Sequence, residues 1–386
     1  MRIGIFGGTF NPPHIGHIRS AKAAARQLEL DLLIIIPSGS PPHKPLPDNS
    51  PPADMRLEMT RLAFRDSENT IVSDIEINDK ASNYAVDTVA AIKRDYPGAE
   101  MFLLVGTDMY LSLDQWKDCE ALLSTATPAV FSRGSDDIIK IADYSLGILN
   151  RYGAQTETVI NNVVEISSSV LREVLPKREG VEYIAEACYS YIIKNRLYGA
   201  KPEWNWLRRR AHSMLSPLRI PHVLGCEEEA VRLAIHWGED ADEAREAAIL
   251  HDITKILEPE ENLAIMKEHG ITAGELKKGE EKLLHAKTAA IIARSEFGSS
   301  NAVAEAIKWH TTGKARMTKL EKLIYLADYI EPARDFDGVD ILRALAYESL
   351  DEAMRMGIEI SVIDMKARGI DPNETTFYAL HDLDRV

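Results

Sequence analysis

The sequence predicts two domains of different class: a Rossmann-like α/β domain with a parallel sheet, followed by an all-helical domain. Apolar, strand-like runs alternate with segments of helical period as far as Asn195. Beyond the short break at Gly199–Pro202, nearly every periodic segment is helical. With 386 residues the chain is long enough for two separate cores. We therefore expect one domain at 1–198 and a second at 203–386.

Composition excludes several classes of function. Hydrophobic residues make up 45% and charged residues 27% of the chain, as in ordinary globular proteins. The net charge of −15 argues against nucleic acid as a partner, because phosphate backbones attract basic surfaces. No apolar run reaches the roughly 18–20 residues that span a bilayer, and the N-terminus enters a strand directly, so we expect neither a membrane partner nor a signal peptide. Cys119, Cys188 and Cys226 lack metal or disulfide spacing, which is typical of a reducing cytoplasm.

The strands of the first half are predicted from runs of apolar or β-branched residues that end near Gly, Pro or polar residues. They are Arg2–Phe6, Leu32–Pro37, Thr70–Asp74, Met101–Gly106, Ala129–Ser132 and Val159–Ile166. The helices between them are predicted from apolar residues spaced three and four apart. They are His17–Leu28, Asp54–Phe64, Tyr84–Tyr96, Met109–Leu113, Cys119–Ser124, Val170–Leu175 and Val181–Lys194. In such a parallel sheet, ligands bind at the carboxyl ends of the strands.

The second half is predicted to be helical because the same three- and four-residue period continues without strand-like runs. The predicted helices are Trp204–Leu215, Glu227–Trp237, Ala241–Ile253, Pro259–His269, Leu283–Phe297, Asn301–Thr311, Thr318–Ile330, Val339–Tyr347 and Leu350–Arg368. In a helical bundle of this kind, side chains that are far apart in sequence can converge on one site.

The first strand ends in a pattern that is typical of phosphate binding. Gly7 and Gly8 follow the strand, a Pro-rich turn comes next, and His14 and His17 stand at the start of an Ala-rich helix. Glycines let the backbone approach an anion, and a helix N-terminus supplies free N–H groups and partial positive charge. Two imidazoles at this place favour a polyphosphate substrate.

A second pattern of this kind follows the last predicted strand. Ser167 and Ser168 stand where a helix begins, and Arg172 lies one turn further along. Small hydroxyl residues cap a helix and can bind phosphate, and a guanidinium can bind two phosphate oxygens. Alone, the pattern is better explained by a simple capped helix with a surface arginine. Together with the first motif it favours a phosphate site.

The two motifs resemble the signatures of the nucleotidyltransferase superfamily, and Gly7-Gly-Thr-Phe-Asn-Pro-Pro-His-Ile-Gly-His17 is similar to bacterial nicotinate-nucleotide adenylyltransferases. The resemblance covers 1–197 and implies transfer of AMP from ATP, with Mg²⁺, to nicotinate mononucleotide. It implies catalytic roles for His14, His17 and Arg172. The ATP-binding residues that it implies are Gly7, Gly8, Thr9, Phe10, His17, Gly106, Asp108, Ser167, Ser168 and Arg172.

Shorter matches to the same family imply a pocket for the mononucleotide. Ser40-Pro-Pro-His-Lys44 is similar to the family's substrate loop, and Trp116 falls where the family stacks the nicotinate ring. The chain departs from the family at Ala85, where the family usually has Thr, and this departure weakens the assignment of the pyridine pocket. The residues implied to bind the nicotinate nucleotide are Lys44, Tyr84, Thr88, Trp116 and Arg133.

The second half contains histidines and carboxylates that could converge on metal ions. His251 and Asp252 are adjacent in an otherwise apolar segment, and a buried aspartate without a partner would be costly. Any one of the histidines alone would more often be a hydrogen-bonded core residue. Together they favour a metal site. The candidate ligands are His222, His251, Asp252, His285, His310 and Asp328.

These residues resemble the motifs of HD superfamily phosphohydrolases, and most closely the small bacterial HD proteins that hydrolyse diadenosine tetraphosphate symmetrically. The matching segments lie within 205–350: Ser216-Pro-Leu-Arg-Ile-Pro-His222, Leu250-His-Asp252, Leu284-His-Ala286, His310-Thr-Thr-Gly313 and Ala327-Asp-Tyr-Ile-Glu-Pro332. The resemblance implies one metal on His222, His251, Asp252 and Asp328. It implies a second metal on His285 and His310, bridged by the catalytic Asp252. We therefore expect two divalent metals, which the resemblance implies are iron. We also expect Lys255 and Arg334 to bind phosphate.

The sequence leaves alternatives open. The expected partners are ATP, nicotinate mononucleotide and diadenosine tetraphosphate, in a cytoplasmic protein whose oligomeric state is undecided, with a homo-oligomer allowed. The transferase half could instead use nicotinamide mononucleotide or phosphopantetheine, although the Lys44 loop and Trp116 argue against phosphopantetheine. The HD half could act on a different nucleotide or be a regulatory nucleotide-binding module.

Overall fold

The computed structural model describes residues 1–39, 46–78, 84–132, 135–161, 164–272 and 280–384. The chain separates into two compact units, Met1–Lys201 and Pro202–Val386. The first unit is α/β, and the described part of the second contains helices and connecting turns. In the described parts of the chain, no helix combines the length and the apolar composition that crossing a membrane requires.

A six-stranded parallel sheet organises the first unit, with strand order β3-β2-β1-β4-β5-β6. The order reverses between β1 and β4, and the loops after these strands therefore open a crevice at the carboxyl edge. The predicted Rossmann-like arrangement is confirmed. The strands are Arg2–Gly8 (β1), Leu32–Pro37 (β2), Thr70–Val72 (β3), Glu100–Gly106 (β4), Thr127–Ser132 (β5) and Glu157–Ile160 (β6).

Helices connect these strands, as parallel pairing requires. They are Ile15–Gln27 (α1), Ala53–Phe64 (α2), Ile75–Asn78 (α3), Ala85–Asp95 (α4), Thr107–Tyr110 (α5), Cys119–Thr125 (α6), Ser135–Tyr152 (α7), Ser168–Val174 (α8) and Glu186–Lys194 (α9). Short 3-10 turns lie at Leu113–Gln115, Leu175–Lys177, Val181–Tyr183 and Leu197–Gly199. The sheet core includes Ile3, Ile5 and Leu103, all nearly inaccessible.

The structure differs from the sequence prediction at several elements of this unit. Helix α3 was not predicted, and the predicted helix Val181–Lys194 is a 3-10 turn followed by α9, which begins at Glu186. Helix α7 occupies a segment for which the sequence predicted no element, because exposed Ile139 and Leu146 interrupt its apolar period. The last strand runs over Glu157–Ile160 and not over Val159–Ile166. Its pairing with β5 extends to Ile160, which lies opposite Ser132, the last residue of β5.

The second unit is a bundle of ten described helices, which confirms the predicted class. They are Trp204–His212 (α10), Ile220–Trp237 (α11), Ala241–Leu250 (α12), Pro259–Glu268 (α13), Leu284–Phe297 (α14), Asn301–Trp309 (α15), Lys319–Ile330 (α16), Val339–Glu348 (α17), Leu350–Ala367 (α18) and Glu374–Leu383 (α19). A 3-10 turn, Glu280–Leu283, precedes α14. Buried Ala244, Ala247 and Ala248 on α12 allow the neighbouring helices to approach closely.

Two helices of this unit also differ from the prediction. Helix α11 begins at Ile220 and not at Glu227, which places His222 on the helix. Pro221 does not prevent this start, because the first-turn N–H groups have no helical partner. Helix α19 was not expected from the sequence, since exposed Phe377 and Tyr378 mask its period.

Candidate active sites

The loop after β1 delivers two histidines to the N-terminus of α1. His14 is the N-cap residue, and its Nδ1 accepts the backbone N–H of Gly16 at 3.1 Å. The Nδ1 atom of His17 accepts the backbone N–H of His14 at 3.2 Å. Because each Nδ1 is an acceptor, these partners assign the proton of each neutral imidazole to Nε2. Both side chains therefore carry an Nε2–H donor.

The packing around this cap requires glycine at position 16 and keeps the imidazole of His17 neutral. A Cβ atom on Gly16 would lie 2.9 Å from Nδ1 of His14, so a larger residue would displace the capping imidazole. Burial and the neighbouring His14 lower the pKa of His17 well below its usual value. His17 is therefore neutral near pH 7 and acts through hydrogen bonding.

Open space adjoins two glycines on either side of the strand-order reversal. Gly7 lies near the end of β1 and Gly106 ends β4. A Cβ atom on either would meet no described atom within 4 Å, and neither glycine has a positive φ. The protein's own backbone thus does not require glycine at either position. Both lie where α/β folds admit a ligand close to the backbone.

The second motif holds the histidine loop from the opposite side. Arg172 donates from Nη1 to the carbonyl oxygen of Asn11 at 2.6 Å. Ser168 donates from Oγ to the carbonyl oxygen of Pro12 at 2.8 Å. Ser167 caps α8 by accepting the backbone N–H of Val170 at 3.3 Å. The two motifs, which are far apart in sequence, therefore form one continuous structure.

In the second unit, Asp252 lies between two pairs of histidines. Its Oδ2 atom is 3.4 Å from Nε2 of His251 and 4.0 Å from Nε2 of His222. Its Oδ1 atom is 3.1 Å from Nε2 of His285 and 3.6 Å from Nε2 of His310. The two carboxylate oxygens thus face different pairs, which is the arrangement that a bridging ligand requires.

Asp328 completes the first of these groups. Its Oδ1 atom lies 3.0 Å from Nε2 of His222 and 4.0 Å from Nε2 of His251. The first group therefore contains two imidazoles and two carboxylates, and the second contains two imidazoles and the shared Asp252. Nitrogen and carboxylate donors of this kind suit divalent transition metals.

Each of these four histidines has its ring orientation fixed through Nδ1. The Nδ1 atoms of His251, His285 and His310 lie 2.7, 2.6 and 2.6 Å from the carbonyl oxygens of Ala248, Lys282 and Ile307. The Nδ1 atom of His222 lies 3.1 Å from Oε1 of Glu331. Since carbonyl and carboxylate oxygens accept, Nδ1 carries the proton and the Nε2 lone pair faces the cluster. In metal-bound histidines, the ring nitrogen that does not face the metal usually donates to a carbonyl or carboxylate oxygen in this way.

The electrostatics of the cluster favour a positive charge at its centre. Within the described residues, Nε2 of His251 and Oδ1 of Asp252 are buried without a hydrogen-bond partner. Burial lowers the pKa of His310 to about 4, so this imidazole is neutral. Asp252 accepts a charge-assisted hydrogen bond from Arg219, which favours its ionised form. Ionised carboxylates and imidazole lone pairs that face one another in a buried site fit a bound cation.

Three cationic side chains surround this cluster. Arg219 donates from Nε to Oδ2 of Asp252 at 2.6 Å, and Arg334 donates from Nη2 to Oδ1 of Asp328 at 2.8 Å. The Nζ atom of Lys255 lies 3.0 Å from Nε2 of His285. Each of these side chains is partly exposed, so it can reach both the cluster and a ligand that arrives from solvent.

Comparison with known proteins gives two family matches. Residues 5–174 match the Cytidylyltransferase-like family, and residues 219–333 match the HD domain family. A probable nicotinate-nucleotide adenylyltransferase from Geobacter sulfurreducens is 32% identical over 213 residues, which cover 98% of that protein and 51% of this chain. The N-terminal half of the chain belongs to the nicotinate-nucleotide adenylyltransferase family. The C-terminal half contains an HD domain.

Two solved structures also align with parts of the chain. One is a predicted HD superfamily hydrolase involved in NAD metabolism from Clostridium acetobutylicum, at 35% identity and a TM-score of 0.45, covering 47% of this chain and 97% of that one. The other is the Plasmodium falciparum nicotinic acid mononucleotide adenylyltransferase complexed with NaAD, at 17% identity and a TM-score of 0.41. It covers 52% of this chain and 98% of that one.

The predicted adenylyltransferase residues occupy different positions in the structure. Asp108 is exposed in the first turn of α5, directly after Gly106. Phe10 is only 1% exposed and packs edge-on against His17, with ring centroids 5.1 Å apart. Its side chain therefore supports the histidine loop, and any ATP contact from this residue is limited to its backbone. Lys44 and Arg133 lie outside the described residues.

Sequence reasoning missed a partly buried carboxyl group, Glu76, that contacts Thr88 of the predicted pyridine pocket. Thr88 donates from Oγ1 to Oε1 of Glu76 at 2.9 Å, so the threonine hydroxyl already has an acceptor. The ammonium group of Lys117 lies 4.4 Å from the Tyr84 ring centroid. Trp116 is partly buried against the apolar core of the sheet. Its assignment as the stacking residue stays a prediction.

Two further residues of the adenylyltransferase half were not identified from sequence. Arg56 is fully buried and donates to the carbonyl oxygens of Thr9 at 2.9 Å and Gly39 at 2.8 Å, joining the loops after β1 and β2. The buried Tyr198 donates to Oδ1 of Asn11 at 2.8 Å. No local pattern could have identified these contacts, because the partners are far apart in sequence.

The HD cluster also contains residues that sequence reasoning missed. Arg219 and Glu331 lie within the matched HD segments and could have been identified from that match. Cys226, whose spacing suggested no metal role, has its Sγ atom 3.3 Å from Nε2 of His222. Gly225 has a steric role, since a Cβ there would lie 2.7 Å from Oε2 of Glu331.

Removing the phenol of Tyr198 should loosen the histidine loop. In Tyr198→Phe the buried amide oxygen of Asn11 loses a donor worth about 1 kcal/mol. We expect amide hydrogen exchange in the peptide covering residues 9–18 to accelerate roughly fivefold, as measured by mass spectrometry on the full chain. Tyr183→Phe, at a partly exposed tyrosine, should leave that peptide unchanged. Equal exchange in both variants would contradict the role of Tyr198.

Glu76→Gln should stabilise the first unit in a pH-dependent way. Burial raises the pKa of Glu76 from 4.5 to about 6, against the opposing hydrogen bond from Thr88. The folded state therefore prefers the protonated acid, and the wild type loses stability as pH rises from about 4.5 to about 6. We expect the Tm of the variant to exceed that of the wild type by an amount that grows over this pH range and levels off above it, as measured by scanning calorimetry. A constant difference from pH 4.5 to 8 would contradict this assignment.

Proposed function

We propose that the chain is a bifunctional enzyme of NAD biosynthesis. Its first unit transfers AMP from ATP to nicotinate mononucleotide, which yields nicotinate adenine dinucleotide and pyrophosphate. Its second unit hydrolyses diadenosine tetraphosphate symmetrically to two ADP at a dinuclear metal site. For the first activity the main support is the pair of Nε2–H donors on His14 and His17, together with the open Gly7 and Gly106 positions at the strand-order reversal. For the second it is the two-sided carboxylate of Asp252.

The adenylyl transfer needs little more than positioning and neutralisation of charge. An oxygen of the acceptor's 5′-phosphate attacks the α-phosphorus of ATP, and the bond from that phosphorus to the bridging oxygen of pyrophosphate breaks. The nucleophile is already an anion, so no general base is needed. Hydrogen bonds from Nε2–H of His14 and His17 would stabilise the charge that develops on the phosphate oxygens. Mg²⁺, which accompanies ATP, would screen the leaving group.

Arg172 has a double role in this proposal. Its Nη1 atom holds the carbonyl oxygen of Asn11, and its Nη2 atom contacts Oγ of Ser169 at 3.1 Å. The guanidinium thus fixes the histidine loop and lies beside the N-terminus of α8, where the β- and γ-phosphates of ATP would be held. Nicotinate mononucleotide is proposed as acceptor on the family membership of this half together with Trp116.

In the HD unit, the donor set fits two divalent metals. His222, His251, Asp328 and Oδ2 of Asp252 would hold one, and His285, His310 and Oδ1 of Asp252 would hold the other. Such a centre supplies an activated water and clamps the phosphate under attack. Glu331 and the carbonyl oxygens behind the other histidines keep the Nε2 lone pairs directed inward. The preference for iron rests on the sequence resemblance.

The phosphates that are not attacked would be bound by the surrounding cations. Arg219, Lys255 and Arg334 all contact the cluster from partly exposed positions. Their positive charges suit a substrate with several consecutive phosphates. Diadenosine tetraphosphate is the substrate that the resemblance of the HD motifs favours, and the four-phosphate chain agrees with these three cations.

His17→Asn tests the proposed transfer chemistry. The side-chain oxygen of Asn can still accept the backbone N–H of His14, whereas the Nε2 donor is lost. We expect kcat for nicotinate adenine dinucleotide formation to fall roughly 10²-fold, with a smaller change in KM for ATP. His17→Ala should lose at least as much. Unchanged kcat in both variants would refute the proposed role of His17. A preference of the wild type for nicotinamide mononucleotide would refute nicotinate mononucleotide as the acceptor.

Asp252→Ala tests the hydrolase. The reduced, ferrous-loaded full chain should convert diadenosine tetraphosphate to ADP alone, as resolved by anion exchange. The variant should lose bound metal and hydrolysis, because both groups share this carboxylate, and should keep adenylyl transfer. His269→Ala, at an exposed histidine of the same unit, is the matched control. Products of ATP and AMP would disprove symmetrical cleavage, and full metal content in Asp252→Ala would disprove the ligand set.

A further inference from the structure

Cys226 lies inside the first metal group of the HD unit. It follows His222 by one turn of α11, and residues at i and i+4 share one helix face. Its side chain is 1% exposed, and its Sγ atom lies 3.3 Å from Nε2 of His222. The ligand atoms of His222, Cys226, His251 and Asp328 all lie within 4.8 Å of one another. That is the separation expected of atoms that share one ion.

A second observation at the same place points to a ligand. The Nε2 atom of His251 is buried in this group without a hydrogen-bond partner in the described structure. Nε2 of His222, Nε2 of His251, Oδ1 of Asp328 and the sulfur therefore lie around one buried position. A helix face that offers two metal ligands four residues apart is a recurring way to hold a metal.

We propose that Cys226 supplies a sulfur ligand to the first metal of the HD centre. This inference rests on the metal centre of the proposed function and adds a donor that the HD motifs do not include. On binding, the thiol proton is released to solvent and the thiolate sulfur donates an electron pair to the ion, so that no oxidant or reductant is needed. A His/His/Asp/Cys set, with Oδ2 of Asp252 beside it, is softer than a set of only nitrogen and oxygen donors.

The consequence is a change in metal preference. Thiolate ligands favour Zn²⁺ and Fe²⁺ over the harder Mn²⁺ and Mg²⁺. The first metal position should therefore discriminate more strongly against Mn²⁺ than the second, whose proposed donors are two imidazoles and a carboxylate. Cys226 thus acts as a specificity-determining residue for the metal.

Cobalt substitution tests the proposal without measuring activity. The full chain would be loaded with Co²⁺ under reducing conditions, with bound metal counted by equilibrium dialysis. A thiolate bound to Co²⁺ adds a charge-transfer band in the near ultraviolet. We expect this band in the wild type and in Cys119→Ser and Cys188→Ser, whose cysteines lie in the first unit. It should be absent in Cys226→Val and in Cys226→Ser.

Affinity measurements provide a second test. Cys226→Val should raise the Kd for Zn²⁺ at the first position by roughly 10–100-fold, a loss at least as large as that seen on removing a second-shell group, and should change the Kd for Mn²⁺ less. Cobalt that binds without the band, or a band that persists in Cys226→Val, would make Cys226 a packing thiol and leave the HD centre intact. If the wild type retained no metal, both the inference and the proposed centre would fail.

Discussion

In both units, the hydrogen bond made by histidine Nδ1 determines what the opposite ring nitrogen can do. In the first unit, Nδ1 of His14 and His17 accepts backbone N–H groups, so Nε2 carries the proton. In the HD unit, the Nδ1 atoms of His251, His285 and His310 face backbone carbonyl oxygens, so Nε2 presents a lone pair. The same side chain thus suits phosphate in one unit and metal in the other.

Backbone geometry imposes this difference. At a helix N-terminus the unpaired groups are N–H donors, and a histidine there becomes an acceptor through Nδ1. His251 and His310 follow the last residues of α12 and α15, where the unpaired groups are carbonyl oxygens. Those positions make Nδ1 a donor. His285, at the start of α14, reaches the carbonyl oxygen of Lys282 in the preceding turn and gains the same tautomer.

Buried polar groups hold each site in place. Arg56, Tyr198 and Arg172 secure the loop after β1 through the backbone and side chain of Thr9 and Asn11. In the HD unit, Thr254 donates to the carbonyl oxygen of His285 at 2.8 Å, which links the turn after α12, where His251 and Asp252 lie, to α14. These groups do not touch the reacting atoms in our proposal. They limit the motion of the loops that carry the donor groups. Catalysis by positioning depends on this restriction.

The sequence by itself determined the fold class of each half, the two candidate phosphate-binding motifs and the six candidate metal ligands. Those features depend on local period and on residue types at short spacing, which a single sequence records. Tertiary structure decided the contacts of Arg56, Tyr198 and Cys226, whose partners are side chains or carbonyls brought near by packing. It also decided helix α7, whose exposed apolar residues mask its period, and the end of β6, which depends on the length of β5. Contacts of this kind exist only after distant segments have packed together, so local sequence patterns could not predict them.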